Sequence, residues 1–110
     1  MNANTQMSNG QPGNPEYTGG SVSYYTAHVA YPTNPDRAPY DVECNDVIEA
    51  LGMNYAEGNA FKAIWRSCAA RNLGLSKRGY TDGVYDAEKA EFFGTRMVVQ
   101  AVARAEKGQP

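Results

Sequence analysis

Hydrophobic positions recur at helical spacing in three segments of the chain. The clearest case is the series Cys44, Val47, Ile48 and Leu51, which follows the i, i+3, i+4, i+7 pattern of one helical face. A polar residue suited to helix capping precedes each segment, and a glycine follows the first. The pattern predicts three helices, over residues 41–52, 55–71 and 86–106, capped by Asp41, Asn54 and Asp86.

Residues 21–31 have a different composition, rich in Val, Tyr and Thr, which is typical of a β-strand. A strand needs a partner for its backbone N–H and C=O groups. The candidate partners for this strand are residues 80–85, around Asp82 and Gly83, and a strand of another subunit. We therefore predict a mainly α fold with minor β: a three-helix domain plus a short N-terminal β-strand, completed in an oligomer.

Residues 1–20 consist of Asn, Gly, Gln, Pro and Ser in mixed order, with no hydrophobic periodicity. Such a segment cannot bury enough apolar surface to fold, so we predict a disordered N-terminal arm. Residues 21–110 then form one α-rich domain, which we expect to bind a nucleotide for the reasons that follow.

The net charge of −2 argues against general nucleic-acid binding. Basic residues are concentrated after position 58, where they could hold a small anion. Two cysteines are too few for a disulfide framework or a zinc site. With no long apolar run and no visible signal peptide, we expect no membrane association and a cytoplasmic location.

One face of the second predicted helix carries Asn59, Lys62 and Arg66 at i, i+3 and i+7. An amide, an ammonium and a guanidinium on one face suit a phosphate or carboxylate ligand. The alternative is a solvated helix face, or pairing with acids of the first helix. His28, beside Tyr24 and Tyr25 in the predicted strand, is either a ligand contact alongside stacking tyrosines or an ordinary strand residue.

Acidic residues at the starts of the first and third helices could in principle hold Mg²⁺, but helix capping explains them as well. We therefore assign no metal site, and expect Mg²⁺ as a cofactor only if the protein is an enzyme. The chain has neither the glycine spacing of a phosphate-binding loop nor that of a dinucleotide fold.

Three motifs in order resemble a family of small bacteriophage proteins labelled nucleotide kinase-like. They are D-V-I-E-A-L-G at residues 46–52, G-N-x-x-K-x-x-x-R at 58–66 and D-x-x-K-A at 86–90. The resemblance covers roughly residues 34–95. It implies that the site is formed by Asn59, Lys62, Arg66, Asp86 and Lys89. Lys62 and Arg66 would hold phosphate and Asn59 would orient a base, sugar or phosphate oxygen. Asp86 and Lys89 would support that group or reach the ligand themselves.

From the motifs and the helix face together we predict a phage-encoded, homo-oligomeric nucleotide-binding protein of the host cytoplasm. Its role would be anti-defence: sequestering a cyclic nucleotide signal of host immunity without chemistry. The alternative is a small nucleoside monophosphate kinase-like enzyme. The expected ligand-binding residues are Asn59, Lys62, Arg66, Asp86, Lys89, Tyr24 and His28.

Overall fold

A computed structural model of the chain describes residues 23–110. The elements are a 3-10 turn at Ser23–Tyr25, strands β1 (Thr26–Val29) and β2 (Tyr40–Glu43), and helices α1 (Cys44–Leu51), α2 (Tyr55–Cys68) and α3 (Val84–Glu106). A π-helical turn at Ala69–Leu73 continues α2. The predicted mainly α fold with minor β is confirmed, whereas the predicted arm at 1–20 lies outside the described residues.

The two strands form an antiparallel hairpin, with Thr26 opposite Glu43 and Val29 opposite Tyr40. The partner of the predicted strand is therefore β2, and not residues 80–85, which form no strand. The prolines at 32, 35 and 39 lie in the connection between β1 and β2, where they need no backbone N–H for a ladder.

Helix α1 begins directly after β2, so the predicted cap Asp41 lies in the strand. Its C-terminal end agrees with the prediction, since Gly52 adopts the left-handed conformation (φ 67°) and its N–H bonds to Glu49. Asn54 caps α2 as predicted: its side chain accepts from the Glu57 N–H, while the Glu57 carboxylate accepts from the Asn54 N–H.

Helices α2 and α3 pack against each other along small residues. Ala56 and Ala60 of α2 are buried with Phe93 of α3, and the Tyr55 ring meets the Phe93 ring edge-on at 5.6 Å. The helices run antiparallel, since Asn54 at the start of α2 bonds to Gln100 near the end of α3. We call Ala56 and Ala60 the alanine seam.

Helical spacing also predicts a buried stripe on the second helix, which includes Ile64, and one on the third, which includes Phe93, Ala101 and Ala105. These two predictions are only partly right. Phe93 is buried, but Ala101 and Ala105 are exposed, and the Ile64 side chain on α2 is 56% exposed. Large apolar residues define the stripe in the sequence, whereas the helices approach each other through the smaller alanines. Within residues 23–110, no helix combines the length and the apolar character needed to cross a bilayer.

Candidate functional site

The 3-10 turn at Ser23–Tyr25 is held against α2 by two adjacent residues of that helix. The Trp65 indole N–H donates to the Tyr24 carbonyl oxygen at 2.9 Å. The Nη1 group of Arg66 donates to the Tyr25 hydroxyl at 3.0 Å. These bonds place the Tyr24 and Tyr25 rings side by side beside α2, with centroids 4.7 Å apart.

Arg66 also joins α2 to the start of α3 through a buried ion pair. Its Nε and Nη2 groups lie 3.0 and 2.9 Å from the same Asp86 carboxylate oxygen, Oδ1. The two side chains are 14% and 3% exposed. Burial works to lower the pKa of Arg66, but bonds to Tyr25 and Asp86 outweigh it and raise that pKa.

Close packing of the loop before α3 brings Asp86 to Arg66. A Cβ atom at Gly83 would lie only 3.0 Å from the Ser67 hydroxyl oxygen of α2, so the loop passes close to that helix. Next to it, the Asp82 carboxylate accepts from the Val84 N–H at 3.0 Å and starts the helix. Asp86 is therefore a buried residue of the first turn of α3, and not its cap as predicted.

Lys62 lies one turn before Arg66 on α2. Its ammonium group is 5.8 Å from the centroid of the Tyr25 ring, and it forms no salt bridge within residues 23–110. Burial raises the pKa of the Cys44 thiol, while the positive charges of Lys62 and Arg66 oppose that rise. Cys44 is therefore a neutral, buried thiol in the neighbourhood of these two cations.

These contacts bring Tyr24, Tyr25, Lys62, Arg66 and Asp86 into one group, which we call the Arg66 cluster. It offers a lysine charge, two half-buried aromatic rings and the guanidinium donors that Asp86 and Tyr25 do not occupy. The second Asp86 oxygen, Oδ2, is buried and has no hydrogen-bond partner among the described residues. Chemically, the cluster suits a phosphorylated ligand with a planar group.

Three other predicted site residues lie apart from these contacts. The Asn59 amide donates to the Tyr55 carbonyl oxygen of its own helix at 2.7 Å. His28 faces Asp41 across the hairpin, with Nδ1 2.8 Å from the carboxylate and both side chains well exposed. The Lys89 ammonium lies over the Tyr85 ring at 5.5 Å and the Phe93 ring at 5.8 Å.

Tyr25 is the member of the cluster that is missing from the expected ligand-binding residues. Two tyrosines are adjacent in a segment that was expected to be a strand, and a strand would place them on opposite faces. The 3-10 turn instead brings the two rings together and the Tyr25 hydroxyl to Arg66. A turn of this kind has no clear sequence signal, so the choice between Tyr24 and Tyr25 required the structure.

The acidic residues considered for Mg²⁺ do not converge: within residues 23–110 no three of the His, Cys, Asp and Glu side chains are grouped as metal ligands.

Comparison of the chain with known proteins gave no match to any family model, curated protein or solved structure.

Proposed function

We propose that the protein binds a nucleotide at the Arg66 cluster and sequesters it without chemical change. In this proposal the chain is encoded by a bacteriophage, the ligand is a cyclic nucleotide signal of host immunity, and binding takes place in the host cytoplasm as a homo-oligomer. The carrying observation is that Lys62 lies beside the Tyr25 ring and Arg66 with no carboxylate paired to it among the described residues.

The phosphate and the base of a nucleotide each have a counterpart in the cluster. The Lys62 ammonium is a point charge for a phosphate oxygen, and Arg66 adds N–H donors that Asp86 holds in place. The half-buried rings of Tyr24 and Tyr25 offer apolar surface for a base. Asp86 is a positioning residue here, because its contacts go to Arg66.

The geometry favours binding over phosphoryl transfer. A general base must reach the proton that it removes. In the cluster, Asp86 Oδ1 is engaged by Arg66 and Oδ2 is buried, so neither oxygen faces a ligand over Lys62 and Tyr25. The kinase-like alternative would need a carboxylate from elsewhere in the chain.

The first test is a thermal-shift screen of the full chain against mono-, di-, tri- and cyclic nucleotides, with and without Mg²⁺. A ligand at 100 times its dissociation constant stabilises the folded state by about 2.7 kcal/mol, which is a shift of several degrees. A Mg²⁺-independent shift with a cyclic nucleotide that is recovered intact is the expected result. Conversion of a monophosphate with ATP would replace our proposal with the kinase, and no shift with any nucleotide would reject both.

Lys62→Met is the matched site variant, because Lys62 has no ion-pair partner among the described residues whose charge would be left buried. Loss of one charge-assisted contact should weaken binding about ten- to hundredfold. Lys107→Met, at the exposed end of α3, is the control and should leave affinity unchanged. Equal affinities for the two variants would remove the Arg66 cluster as the site.

A further inference from the structure

Helix α3 has a second apolar face, on the side away from α2. Its inner side carries Asp86, Phe93 and Gln100, which contact α2. Six large apolar residues elsewhere on the helix are about half or more exposed. Two are Val84 (58%) and Val98 (63%), and the other four share one stripe: Tyr85 61%, Phe92 61%, Val99 48% and Val102 51%.

These four residues follow a seven-residue repeat. Tyr85, Phe92 and Val99 are spaced by seven and take the a positions of consecutive heptads, and Val102 takes a d position. The other two d positions are polar: Thr95, and Glu88, whose carboxylate would face its own copy at one layer of a parallel pair. We call this set the outer face: Tyr85, Glu88, Phe92, Thr95, Val99 and Val102.

A shallow depression borders the N-terminal half of the outer face. It is lined by Tyr85, Glu88 and Phe92 of that face and by the neighbouring Lys89 and Phe93. Coiled-coil packing requires such holes, since each a or d side chain inserts between residues of the facing helix. The 23 residues of α3 extend over about 34 Å, which gives room for three heptads.

The charges beside the outer face are complementary between two copies of this chain. Glu91 takes a g position and Arg96 the following e position, on opposite flanks of the face, and both are exposed. In a parallel pair of helices, a g residue approaches the e residue five positions later on the other helix. Two copies of this chain would thus form the Glu91–Arg96 contact twice. In an antiparallel pair, the flank carrying Lys89 and Arg96 would meet the same basic flank.

We propose that the outer face binds the outer face of a second copy, giving a two-fold symmetric dimer with parallel α3 helices. The small core supports this. The buried hydrophobic residues of the described chain are Cys44, Ala56, Ala60, Ala63, Ala69 and Phe93, and only the last is large. Burying the outer face against a copy adds the large apolar contacts that the single chain lacks.

Sedimentation equilibrium of the full chain tests the dimer. The wild type should sediment as a dimer. Phe92→Glu and Val102→Glu should each raise the dimer dissociation constant by about a hundredfold or more, because an unpaired charge would be buried. Ala101→Glu, next to Val102 but outside the outer face, should remain dimeric. Circular dichroism checks that every variant is folded.

A charge exchange tests the parallel orientation. Glu91→Lys and Arg96→Glu should each weaken the dimer, and the double variant should restore it, because each g–e pair is again of opposite charge. A double variant that stays as weak as the singles would overturn the parallel arrangement. A monomeric wild type at all concentrations would overturn the dimer, even if the chain then bound lipid vesicles or another protein.

Discussion

At the scale of single residues, the ion pair between Arg66 and Asp86 determines how the candidate site is held. Moving both charges out of water is costly, and their attraction offsets that cost only while both are present. Asp86 is almost fully buried and Arg66 nearly so, and the Tyr25 hydroxyl satisfies a further guanidinium donor. Loss of either charge would leave the other buried without compensation.

We therefore expect Asp86→Asn to destabilise the fold by about 3 kcal/mol, since it leaves the Arg66 charge buried without a counter-charge. Urea denaturation gives the free energy of unfolding directly. The control is Asp36→Asn, which changes an exposed carboxylate in the hairpin connection and should shift stability by no more than about 0.5 kcal/mol. Equal effects at the two positions would contradict the buried-pair account.

Two residues beside the pair make stability depend on pH. Burial raises the pKa of the Cys44 thiol, and burial together with the neighbouring Tyr25 raises the pKa of Tyr24. The folded chain thus keeps these protons at pH values where the unfolded chain has lost them. Stability is full below the ordinary cysteine pKa of about 8.5 and should fall as pH rises above it.

Thermal unfolding between pH 7 and pH 10.5 would measure this decline. Cys44→Ala should remove the part of the fall in Tm that begins near the cysteine pKa of about 8.5. Cys68→Ala, the same change at the other cysteine, should leave that part of the fall in Tm unchanged. A Tm that stays constant above pH 9 in the wild type would show that neither proton is coupled to folding.

At the scale of elements, Asn54 connects the start of α2 to the end of α3. Its carboxamide accepts from the Glu57 N–H and donates to the Gln100 side chain. Asn54→Ala should cost about 1–2 kcal/mol, because it removes the N-terminal cap and the interhelical bond together. Chemical denaturation would measure the loss.

The matched control is Asn45→Ala, which removes an exposed asparagine whose amide bonds to Glu49 within α1. Such i, i+4 contacts contribute only about 0.2–0.5 kcal/mol. A loss at Asn54 no larger than the loss at Asn45 would mean that the cap contributes little to this fold.

The helix ends that were predicted correctly are those whose sequence signal lies entirely in neighbouring residues. The capping box at Asn54 and the left-handed Gly52 involve only neighbouring residues, so the sequence contains all that is needed. Asp41 and Asp86 also have the chemistry of caps, but tertiary contacts decide their roles. Asp41 lies in strand β2 of the hairpin, and Asp86 forms a buried ion pair with Arg66.

The candidate site could be predicted to a similar extent. Lys62 and Arg66 follow from helical spacing, because that spacing fixes their common face. Spacing does not reveal which other segments approach the face. The motif resemblance includes Asp86 in the site, but the direct Arg66–Asp86 pair and the Tyr25 contact required the structure. His28 illustrates the reverse case, since its place opposite Asp41 depends on the register with a strand that was not predicted.

At the scale of the whole molecule, stability should depend on protein concentration. If the outer face is buried in a dimer, mass action favours the folded, paired state as concentration rises. The Tm of the wild type should increase with concentration, whereas that of Phe92→Glu should stay nearly constant. Differential scanning calorimetry over a hundredfold range would measure both, and a constant Tm for the wild type would contradict coupled folding and association.

The alanine seam has a consequence for how the chain tolerates sequence change. Ala56 and Ala60 have no side-chain rotamers, so neither can change conformation to make room for a larger side chain at the other position. A larger residue at either position must therefore push α3 away from α2 as a whole. Helix α3 carries Asp86 on one side and the outer face on the other. Ala56 and Ala60, which lie outside the Arg66 cluster and the outer face, therefore set the distance between α2 and α3, and enlarging either residue would alter both surfaces together.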